Sequence, residues 1–374
     1  MFRRFFSIAL ALLLVMAALP VMAEDAPPEL PGLTWESRMD LIYADGFSVD
    51  YYEGGYALIQ VKDDARYLVV PENMPVPEAL AQDVVVIRQP VERIYLAATS
   101  AMALFDALDA LNAIRLSGTR ASGWYIDHAV EAMERGDMLF AGSYSEPDYE
   151  LMINEGCQLA IESTMIYHTP KVKEMIELLG IPVFVDRSSY ETHPLGRTEW
   201  VRLYSVLVDR EEAALEFFRD QTAIIEELSG FENTEKTVAF FYVSSDGTVN
   251  VRASSDYVAR MIEIAGGRYI FENLSDPESN RSTVSLTMEE FYAAASNADY
   301  IIYNAAIDSP LNSVNELLSK SDLFADFKAV KEGNVWCTGK YLYQATDIVG
   351  NLITDIHDML TGSEGDLNFI YKLH

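Results

Sequence analysis

The chain has 374 residues, half of them hydrophobic and 11% aromatic, and its 58 acidic residues against 27 basic ones give a formal net charge of −31. This much apolar surface excludes a disordered or low-complexity chain, because such chains lack the apolar groups that offset chain entropy. The negative charge argues against a nucleic-acid partner, since it would repel a phosphate backbone. The length predicts roughly two to three domains of about 150 residues each. Cys157 and Cys337 are too few for a disulfide framework, and they either pair with each other or are simply buried.

The chain begins with the pattern of a secretory signal peptide over 1–23. Arg3 and Arg4 precede an apolar run over 5–19, and small or apolar residues occupy the positions that a signal peptidase reads. We therefore predict cleavage after Ala23 and an extracytoplasmic location, periplasmic or secreted. The alternative is a membrane anchor, which the run fits less well because a spanning helix needs roughly 20 residues. No cysteine stands near the cut site, so the sequence leaves open how the protein is retained outside the cell.

A β-rich N-terminal extension is predicted over 24–83. Aromatic and β-branched runs at 47–52, 56–61 and 67–70 are separated by Gly-Gly and Asp-Asp pairs, which is the pattern of β-hairpins. Prolines between 71 and 77 then predict a linker. The sequence assigns no role to this extension.

An N-terminal α/β lobe is predicted over 84–193, where short apolar runs alternate with helical patterns. Alternation of this kind indicates βαβ units around a parallel sheet. The expected strands, with helices between them, lie at 94–98, 114–118, 158–161 and 181–186.

A helical connector is predicted over 194–235. Asp209 and Glu212 form a capping-box pattern, and an apolar stripe then continues to Gly230. These signals predict one long helix over 210–229, whose length of about 30 Å is comparable to the width of a small domain.

A second alternating region over 236–374 predicts a C-terminal α/β lobe with a closing helix at 346–360. The predicted fold class is thus α/β: two Rossmann-like lobes joined by one long helix and preceded by the β-rich extension. In such folds a ligand cleft lies between the lobes, at the loops that follow the carboxyl ends of the strands.

Short motifs occur in order along the two alternating regions. They are Glu92–Ser100, Glu146–Glu150, Leu178–Val183, Ala265–Gly267 and Ala298–Tyr303. By their order and spacing, the region over 84–360 resembles the solute-binding proteins of ABC importers that carry iron–siderophore complexes, haem or corrinoids, the periplasmic binding proteins with a single linking helix. The stretch Ser189–Trp200 resembles a bacterial subgroup of this family.

The resemblance implies a protein that binds a metal chelate, such as an iron–siderophore complex, haem or a cobalamin-like corrinoid, and delivers it to an ABC importer permease. It implies no enzymatic activity and no cofactor of its own, and we expect a monomer. Family members carry an acidic residue on top of each lobe that meets arginines of the permease. By motif position these acids correspond to Glu150 in the N-terminal lobe and to Glu289 or Glu290 in the C-terminal lobe. The alternative is that all three are ordinary solvated helix charges.

Aromatic and cationic residues follow several of the predicted strands. A metal chelate or a tetrapyrrole needs flat aromatic contacts and a few cations for its carboxylates. The candidate ligand-binding residues in these loops are Trp124, Tyr125, Tyr144, Tyr167, His168, Tyr190, His193, Arg252, Tyr341 and Tyr343. Each has a structural alternative, and for Arg252 a salt bridge to a neighbouring acid is equally natural.

His168 and His193 are the histidines in the loops after the N-terminal lobe's strands. Histidine can ligate iron directly, but a histidine before a proline is more often a helix cap or a packed ring. The chain has only five histidines and no HxxxH or CxxC pair, so we expect no closed metal site built by the protein alone. Arg197, in the next helix, is a further candidate for ligand contact, but pairing with an acid such as Asp186 or Glu191 is the favoured expectation.

Two other function classes stay open. Direct binding of a metal ion or an oxyanion would use His168, His193 and nearby acids or helix N-termini. A secreted enzyme is the remote alternative, because the sequence contains no GxSxG elbow, Walker loop or HExxH motif. His193 with Glu191 and Glu199 could carry out acid–base chemistry, but nothing supplies a nucleophile. The sequence does not identify the ligand.

Overall fold

The computed structural model describes residues 26–228, 230–274, 282–363 and 367–374. The predicted signal peptide and its cleavage site therefore lie outside the described residues. Within the described ranges, no helix is long and apolar enough to cross a membrane. Cys157 and Cys337 are both free thiols, the first half-buried and the second buried.

The N-terminal extension folds into one five-stranded sheet with the order β1-β2-β3-β4-β5. Its strands are β1 (Trp35–Arg38), β2 (Phe47–Tyr52), β3 (Tyr56–Val61), β4 (Arg66–Val70) and β5 (Val84–Arg88). Neighbouring strands are antiparallel except β4 and β5, which are parallel. Gly54 and Gly55 have positive φ angles and form the turn between β2 and β3, as their pairing predicted. Because β5 hydrogen-bonds to β4, the first sheet continues to Arg88, past the boundary predicted at residue 83.

The N-terminal lobe has a parallel five-stranded sheet with the order β12-β11-β6-β7-β8. The strands of this sheet are β6 (Ile94–Leu96), β7 (Ile114–Ser117), β8 (Leu139–Phe140), β11 (Leu159–Ser163) and β12 (Val183–Asp186). Between β8 and β11, the short strands β9 (Gly142–Ser143) and β10 (Glu146–Pro147) form a separate antiparallel hairpin. Its helices are α1 (Thr99–Ala107), α2 (Asp127–Arg135), α3 (Tyr149–Asn154) and α4 (Pro170–Leu178). The predicted βαβ lobe is thus confirmed, because every neighbouring pair in this sheet is parallel.

Two consecutive helices, α5 (Pro194–Val208) and α6 (Glu211–Leu228), form the connector. Asp209 ends α5 in the left-handed conformation with φ of 56°, so the chain turns before α6 begins. Helix α6 is the predicted linking helix. Its first half packs on the N-terminal lobe through Phe218, and its last turn packs on the C-terminal lobe through Leu228.

The C-terminal lobe has a mixed seven-stranded sheet with the order β16-β14-β13-β17-β18-β19, and β15 pairs with β13 off this path. Its strands are β13 (Thr237–Val243), β14 (Val249–Arg252), β15 (Arg268–Tyr269), β16 (Thr283–Leu286), β17 (Tyr300–Tyr303), β18 (Val335–Thr338) and β19 (Ile370–Lys372). Its helices are α7 (Tyr257–Ile264), α8 (Met288–Ala295), α9 (Val314–Leu318), α10 (Lys328–Glu332) and α11 (Val349–Thr361). The central strands β13, β17 and β18 are parallel. The predicted α/β class with two lobes, one linking helix and a β-rich extension is therefore confirmed.

The extension shares a hydrophobic core with the N-terminal lobe. The ring of Phe47 in β2 lies 5.1 Å from that of Trp200 in α5, and the ring of Tyr67 in β4 lies 4.7 Å from that of Phe184 in β12. All four side chains are buried. Aromatic pairs at this spacing add about 0.5–1.5 kcal/mol each beyond the free energy of area burial. The extension is therefore an integral part of the N-terminal lobe.

Candidate functional site

The two lobes meet at loops that follow the carboxyl ends of parallel strands. Gln344, after β18, donates from its side-chain nitrogen to the Gly123 carbonyl at 2.8 Å and accepts from the Tyr125 amide at 2.9 Å. The Thr198 hydroxyl in α5 donates to the Thr346 carbonyl at 2.8 Å. We call the contact surface formed by these five residues the interlobe seam. It lies where ligand clefts of open α/β sheets are expected.

Arg197 stands at the interlobe seam without a carboxylate. It lies in the first turn of α5, is 4% exposed, and places its guanidinium carbon 4.0 Å from the ring centroid of Tyr257. Tyr257 is the first residue of α7 in the C-terminal lobe and is itself buried. Among the described residues, the side chain of Arg197 has no hydrogen-bond or ion-pair partner, and its Nε atom is fully buried. The predicted pairing of Arg197 with Asp186 or Glu191 is therefore wrong.

Asp186 is occupied within the N-terminal lobe. Its Oδ1 atom accepts a hydrogen bond of 2.7 Å from the Ser188 hydroxyl, and its Oδ2 atom accepts one from the Tyr204 hydroxyl. The Tyr204 ring packs in the lobe core against Phe105, with 5.1 Å between the ring centroids. This carboxylate fixes the loop after β12 to α5 and is not available to Arg197.

Glu191 binds backbone amides of the extension. It accepts from the amides of Asp45 and Gly46, each at 3.0 Å, and from Trp200 Nε1 at 2.8 Å. Burial raises the pKa of Glu191, and the three donated hydrogen bonds oppose that rise. The side chain is 3% exposed, so it has no contact with solvent that would allow acid–base chemistry.

Glu199, in α5, holds the same loop. Its carboxylate accepts from the amides of Ile42, Tyr43 and Ala44 at distances of 2.8–2.9 Å, and it is fully buried. We call Glu191 and Glu199 together the glutamate clamp. Because the clamp is bound to the 42–46 backbone, it supplies no general base for the enzymatic alternative.

Arg252 lies on the C-terminal side of the seam and forms the predicted alternative, a salt bridge. Its guanidinium makes two hydrogen bonds to Asp256, at 2.9 and 2.7 Å, and is also 3.4 Å from the Tyr343 hydroxyl. Asn304 donates to the same hydroxyl at 2.9 Å. The guanidinium carbon of Arg252 lies 5.8 Å from the ring centroids of both Tyr257 and Tyr343. Arg252 and Tyr343 thus belong to one polar cluster that reaches Tyr257.

Four of the aromatic residues predicted to bind the ligand lie outside the polar cluster of Arg252 and Tyr343. Trp124 is buried in the N-terminal lobe core and donates from Nε1 to the Ser117 hydroxyl at 3.1 Å. Tyr125 keeps an exposed ring next to its amide contact at the seam. Tyr144 is half-buried in the turn between β9 and β10. Tyr341 donates from its hydroxyl to the Asn368 carbonyl, which directs it toward the C-terminal segment.

The remaining candidates follow β11 and β12. The exposed Tyr167 donates from its hydroxyl to Asp64 in the extension at 2.9 Å. His168 and Tyr190 are exposed. His193 is the N-cap of α5: its Nδ1 atom accepts from the Leu195 amide at 3.2 Å.

The His193 ring also stacks on Tyr43, with 4.4 Å between the centroids. Burial, followed by the charge of Arg260, lowers the pKa of His193 to about 4, so the imidazole is neutral at pH 7. His193 is therefore a cap and a packed ring. In the part of the chain that the structure describes, no group of three or more His, Cys, Asp or Glu side chains is arranged to hold a metal ion. The geometry therefore gives no support to the direct metal-ion alternative.

Among the described residues, two of the three predicted docking acids have no hydrogen-bond or ion-pair partner for their carboxylates, and both stand at helix starts. Glu150 is exposed in the first turn of α3, and Glu289 is exposed in the first turn of α8. Glu290 instead completes a capping box, in which its carboxylate accepts from the amide and the hydroxyl of Thr287 at 2.8 and 3.0 Å. These hydrogen bonds lower the pKa of Glu290. Glu290 thus has a structural role that Glu289 lacks.

A buried carboxyl group in β11 has no partner. Glu162 is fully buried, and among the described residues neither of its oxygens has a hydrogen-bond donor. Burial raises its pKa to about 8, so the group is largely protonated at pH 7. Its nearest residue in the sheet register is Val185 of β12.

Two cavities lie away from the interlobe seam. One, of about 720 Å³, is lined by residues of α1 and α2 and by Arg210. The other, of about 930 Å³, lies between the extension and the N-terminal lobe and is lined in part by Tyr51, Pro90 and Val206. Neither contains a seam residue or a candidate ligand residue.

Sequence reasoning missed Tyr257, Asn304, Gln344 and Thr346. Asn304 directly follows β17, and Gln344 and Thr346 lie in the segment after β18. Positions after parallel strands indicate possible ligand contacts, so sequence reasoning could have found these three residues. Tyr257 follows Asp256, whose side chain caps α7 by accepting from the Val258 amide at 3.0 Å. That capping pattern predicted a helix start and gave no indication of a ligand contact.

No family model matches the chain. An uncharacterized lipoprotein of Methanocaldococcus jannaschii is 26% identical over 347 residues, an alignment that covers 87% of this chain and 81% of that protein. A periplasmic binding protein from Veillonella parvula has a TM-score of 0.57 at 14% identity and covers 89% of this chain and 99% of its own. This alignment covers a larger share of the chain than do the alignments with the next two structures.

The periplasmic haem-binding protein HutB of Vibrio cholerae has a TM-score of 0.55 at 16% identity, covering 70% of this chain and 98% of its own. An ABC-type Fe³⁺-hydroxamate transport system protein from Saccharomonospora viridis has a TM-score of 0.55 at 16% identity, covering 72% of this chain and 93% of its own. Likeness at these identities shows the fold. The chain therefore has the fold of the periplasmic binding proteins whose two lobes are joined by a single helix, as its sequence motifs predicted.

Proposed function

We propose that this protein is an extracytoplasmic solute-binding protein that captures a metal chelate between its lobes and presents it to the permease of an ABC importer. The cargo is an iron–siderophore complex, haem or a cobalamin-like corrinoid. The observation that carries the proposal is the interlobe seam, where loops after parallel strands of both lobes meet and α6 links the lobes. Side-chain contacts of Gln344 and Thr198 bridge the seam, so ligand entry requires these hydrogen bonds to break.

The side chains at the seam suit a flat, charged cargo. The exposed ring of Tyr125 and the ring of Tyr343 offer aromatic contact, and Arg197 offers positive charge. Chelates and tetrapyrroles need this combination of contacts. The names of the structural neighbours, which include haem-binding and Fe³⁺-hydroxamate transport proteins, support the same cargo class.

An extracytoplasmic location rests on the predicted signal peptide and on the archaeal relative, which is named a lipoprotein. Docking to the permease rests on Glu150 and Glu289, which are exposed at the starts of α3 and α8. Paired acids of this kind orient an encounter more than they add affinity. We propose Glu289 as the docking acid of the C-terminal lobe, because Glu290 is committed to Thr287.

Thermal unfolding in the presence of candidate cargoes tests the proposal. The mature protein is heated with haem, with ferric siderophores, with the same siderophores free of iron, and with cobalamin. A ligand at 100 times its Kd adds about 2.7 kcal/mol to the free energy of unfolding, which raises the melting temperature by several degrees. Stabilisation by a chelate but not by its iron-free form supports the proposal. Stabilisation by none of these cargoes, or by a transition-metal ion alone, contradicts it.

A further inference from the structure

A buried carboxamide at the contact between the linking helix and the C-terminal lobe lacks a hydrogen-bond donor. Gln221 lies in α6, three residues after Phe218, the side chain through which this helix packs on the N-terminal lobe. Gln221 is 8% exposed, and its Oε1 atom is buried without a partner among the described residues. Buried polar atoms almost always have hydrogen-bond partners, so an unsatisfied oxygen at this position requires a physical reason.

The residue that faces this oxygen belongs to the first turn of α11. Gly350 is the second residue of that helix, and a Cβ atom there would lie only 3.2 Å from Gln221 Oε1 and 3.3 Å from the Cβ atom of Ile224. A larger side chain would therefore force α11 and α6 apart. Helix α11 packs in the core of the C-terminal lobe through Ile353 and Ile356. The contact of Gln221 with Gly350 thus joins one lobe to the other.

The same turn of α11 has no side-chain cap. Its N-cap residue, Ile348, makes no side-chain hydrogen bond to the first amides of the helix. These amides have no partner within a helix, and a serine, threonine, aspartate or asparagine side chain normally supplies one. An oxygen that lacks a donor therefore lies beside helix amides that no side chain caps. A small rotation of α11 relative to α6 would bring the two into hydrogen-bond distance.

The interlobe seam holds α11 in its present position. The segment that leads into α11 carries Gln344, which is bonded to the loop at 123–125, and Thr346, whose carbonyl accepts from Thr198. The Thr346 hydroxyl is likewise buried without a partner in the part of the chain that the structure describes. Rotation of α11 would break the seam bonds. We therefore expect the seam bonds and a Gln221–α11 bond to exclude each other.

We propose that Gln221 is a latch for a second arrangement of the two lobes, in which the seam is open and Oε1 accepts a hydrogen bond from a first-turn amide of α11. The bond gained at Gln221 offsets part of what is lost at the seam, so both arrangements are accessible to the ligand-free protein. The partial positive charge of the helix N-terminus favours the same bond. The inference goes beyond the proposed function, because it holds for any cargo and is tested without one.

Small-angle scattering of the ligand-free protein tests the latch with two substitutions of opposite effect. Q221L removes the latch and the unsatisfied oxygen, so we expect it to reverse the larger radius of gyration that Q344A produces. Q221E places a carboxylate that the helix N-terminus favours and that burial at the closed seam disfavours, so we expect it to enlarge the protein whose seam residues are intact. A223L and A223E introduce the same side chains at an exposed position of α6 and are expected to leave the radius unchanged.

Melting temperatures show whether each variant is folded when its radius is measured. Q221L is expected to melt no lower than the wild type, because it removes a buried oxygen without a partner. If Q221E does not fold, the comparison of Q344A with Q344A/Q221L decides the inference. The inference is overturned if Q344A does not expand the protein, if Q221L leaves the radius of Q344A unchanged, or if a folded Q221E has the radius of the wild type. Cargo binding without these shifts leaves the proposed function intact, and these shifts without cargo binding leave the latch intact.

Discussion

The buried carboxyl of Glu162 makes a specific prediction about stability and pH. Burial raises the pKa of this group from 4.5 to about 8 in the folded protein. Below pH 4.5 the group is protonated in both states and has no effect on stability. Between pH 4.5 and 8 the unfolded chain ionises while the folded chain stays protonated, so the free energy of unfolding falls as pH rises. The full cost, reached near pH 8, is on the order of 5 kcal/mol at about 1.4 kcal/mol per pH unit.

The substitution Glu162→Gln tests this reasoning, because glutamine cannot ionise. Urea unfolding of the wild type and E162Q at pH 5, 6.5 and 8 gives the difference in the free energy of unfolding at each pH. We expect E162Q to gain several kcal/mol relative to the wild type between pH 5 and pH 8. A difference in the free energy of unfolding that is the same at every pH reflects burial of the glutamine amide. The prediction concerns only the change of that difference with pH. Glu174→Gln, at an exposed position in α4, controls for the loss of one negative charge. A difference between E162Q and the wild type that stays flat across this range refutes the account.

Three further predictions concern the clamp, the seam and the docking acids. Glu199→Gln replaces a carboxylate that accepts hydrogen bonds from three backbone amides, so we expect urea unfolding to show that the free energy of unfolding falls by about 3 kcal/mol. A fall of less than about 1 kcal/mol would show that the 42–46 loop does not depend on this charge. Gln344→Ala removes both of its hydrogen bonds across the seam, and we expect small-angle scattering of the ligand-free protein to give a larger radius of gyration than the wild type; an unchanged radius would contradict the role of the seam. Glu289→Ala is expected to slow cargo uptake through the cognate permease in vesicles without changing the melting temperature. Glu290→Ala is expected to lower the melting temperature, because it removes the capping box. If Glu290→Ala slowed uptake and Glu289→Ala lowered the melting temperature, our choice of docking acid would be refuted.

Local patterns were sufficient to predict most secondary structure. Helix α8 begins at a capping box formed by Thr287 and Glu290, a pattern that is readable from the sequence. The linking helix α6 was predicted to within a residue at each end, although Asp209, its expected N-cap, instead ends α5. The lobe order followed from the same short-range alternation, and the family resemblance followed from the order and spacing of short motifs.

The contacts of Arg197 could not be read from local patterns. Its expected partner Glu191 is committed to the amides of Asp45 and Gly46, which lie 146 and 145 residues earlier in the chain. Likewise, the apolar run of β5 reads as a buried strand of either neighbouring sheet, and only its pairing with β4 decides between them. Hydrogen bonds and strand pairs over such separations leave no periodic signal, so the occupation of Glu191 by the extension is visible only in the folded chain.

The glutamate clamp has a consequence for anyone who would shorten this protein. Trimming the polypeptide to the part that resembles the family would delete the five amides that donate hydrogen bonds to two buried carboxylates, one just before α5 and one within it. In the remaining fragment, Glu191 would keep its hydrogen bond from Trp200 and Glu199 its ion pair with Arg202, but both carboxylates would lose their backbone donors. The fragment would be expected to open this region to water or to aggregate. A minimal version therefore has to begin before residue 42, or else exchange both glutamates for neutral side chains in the same step.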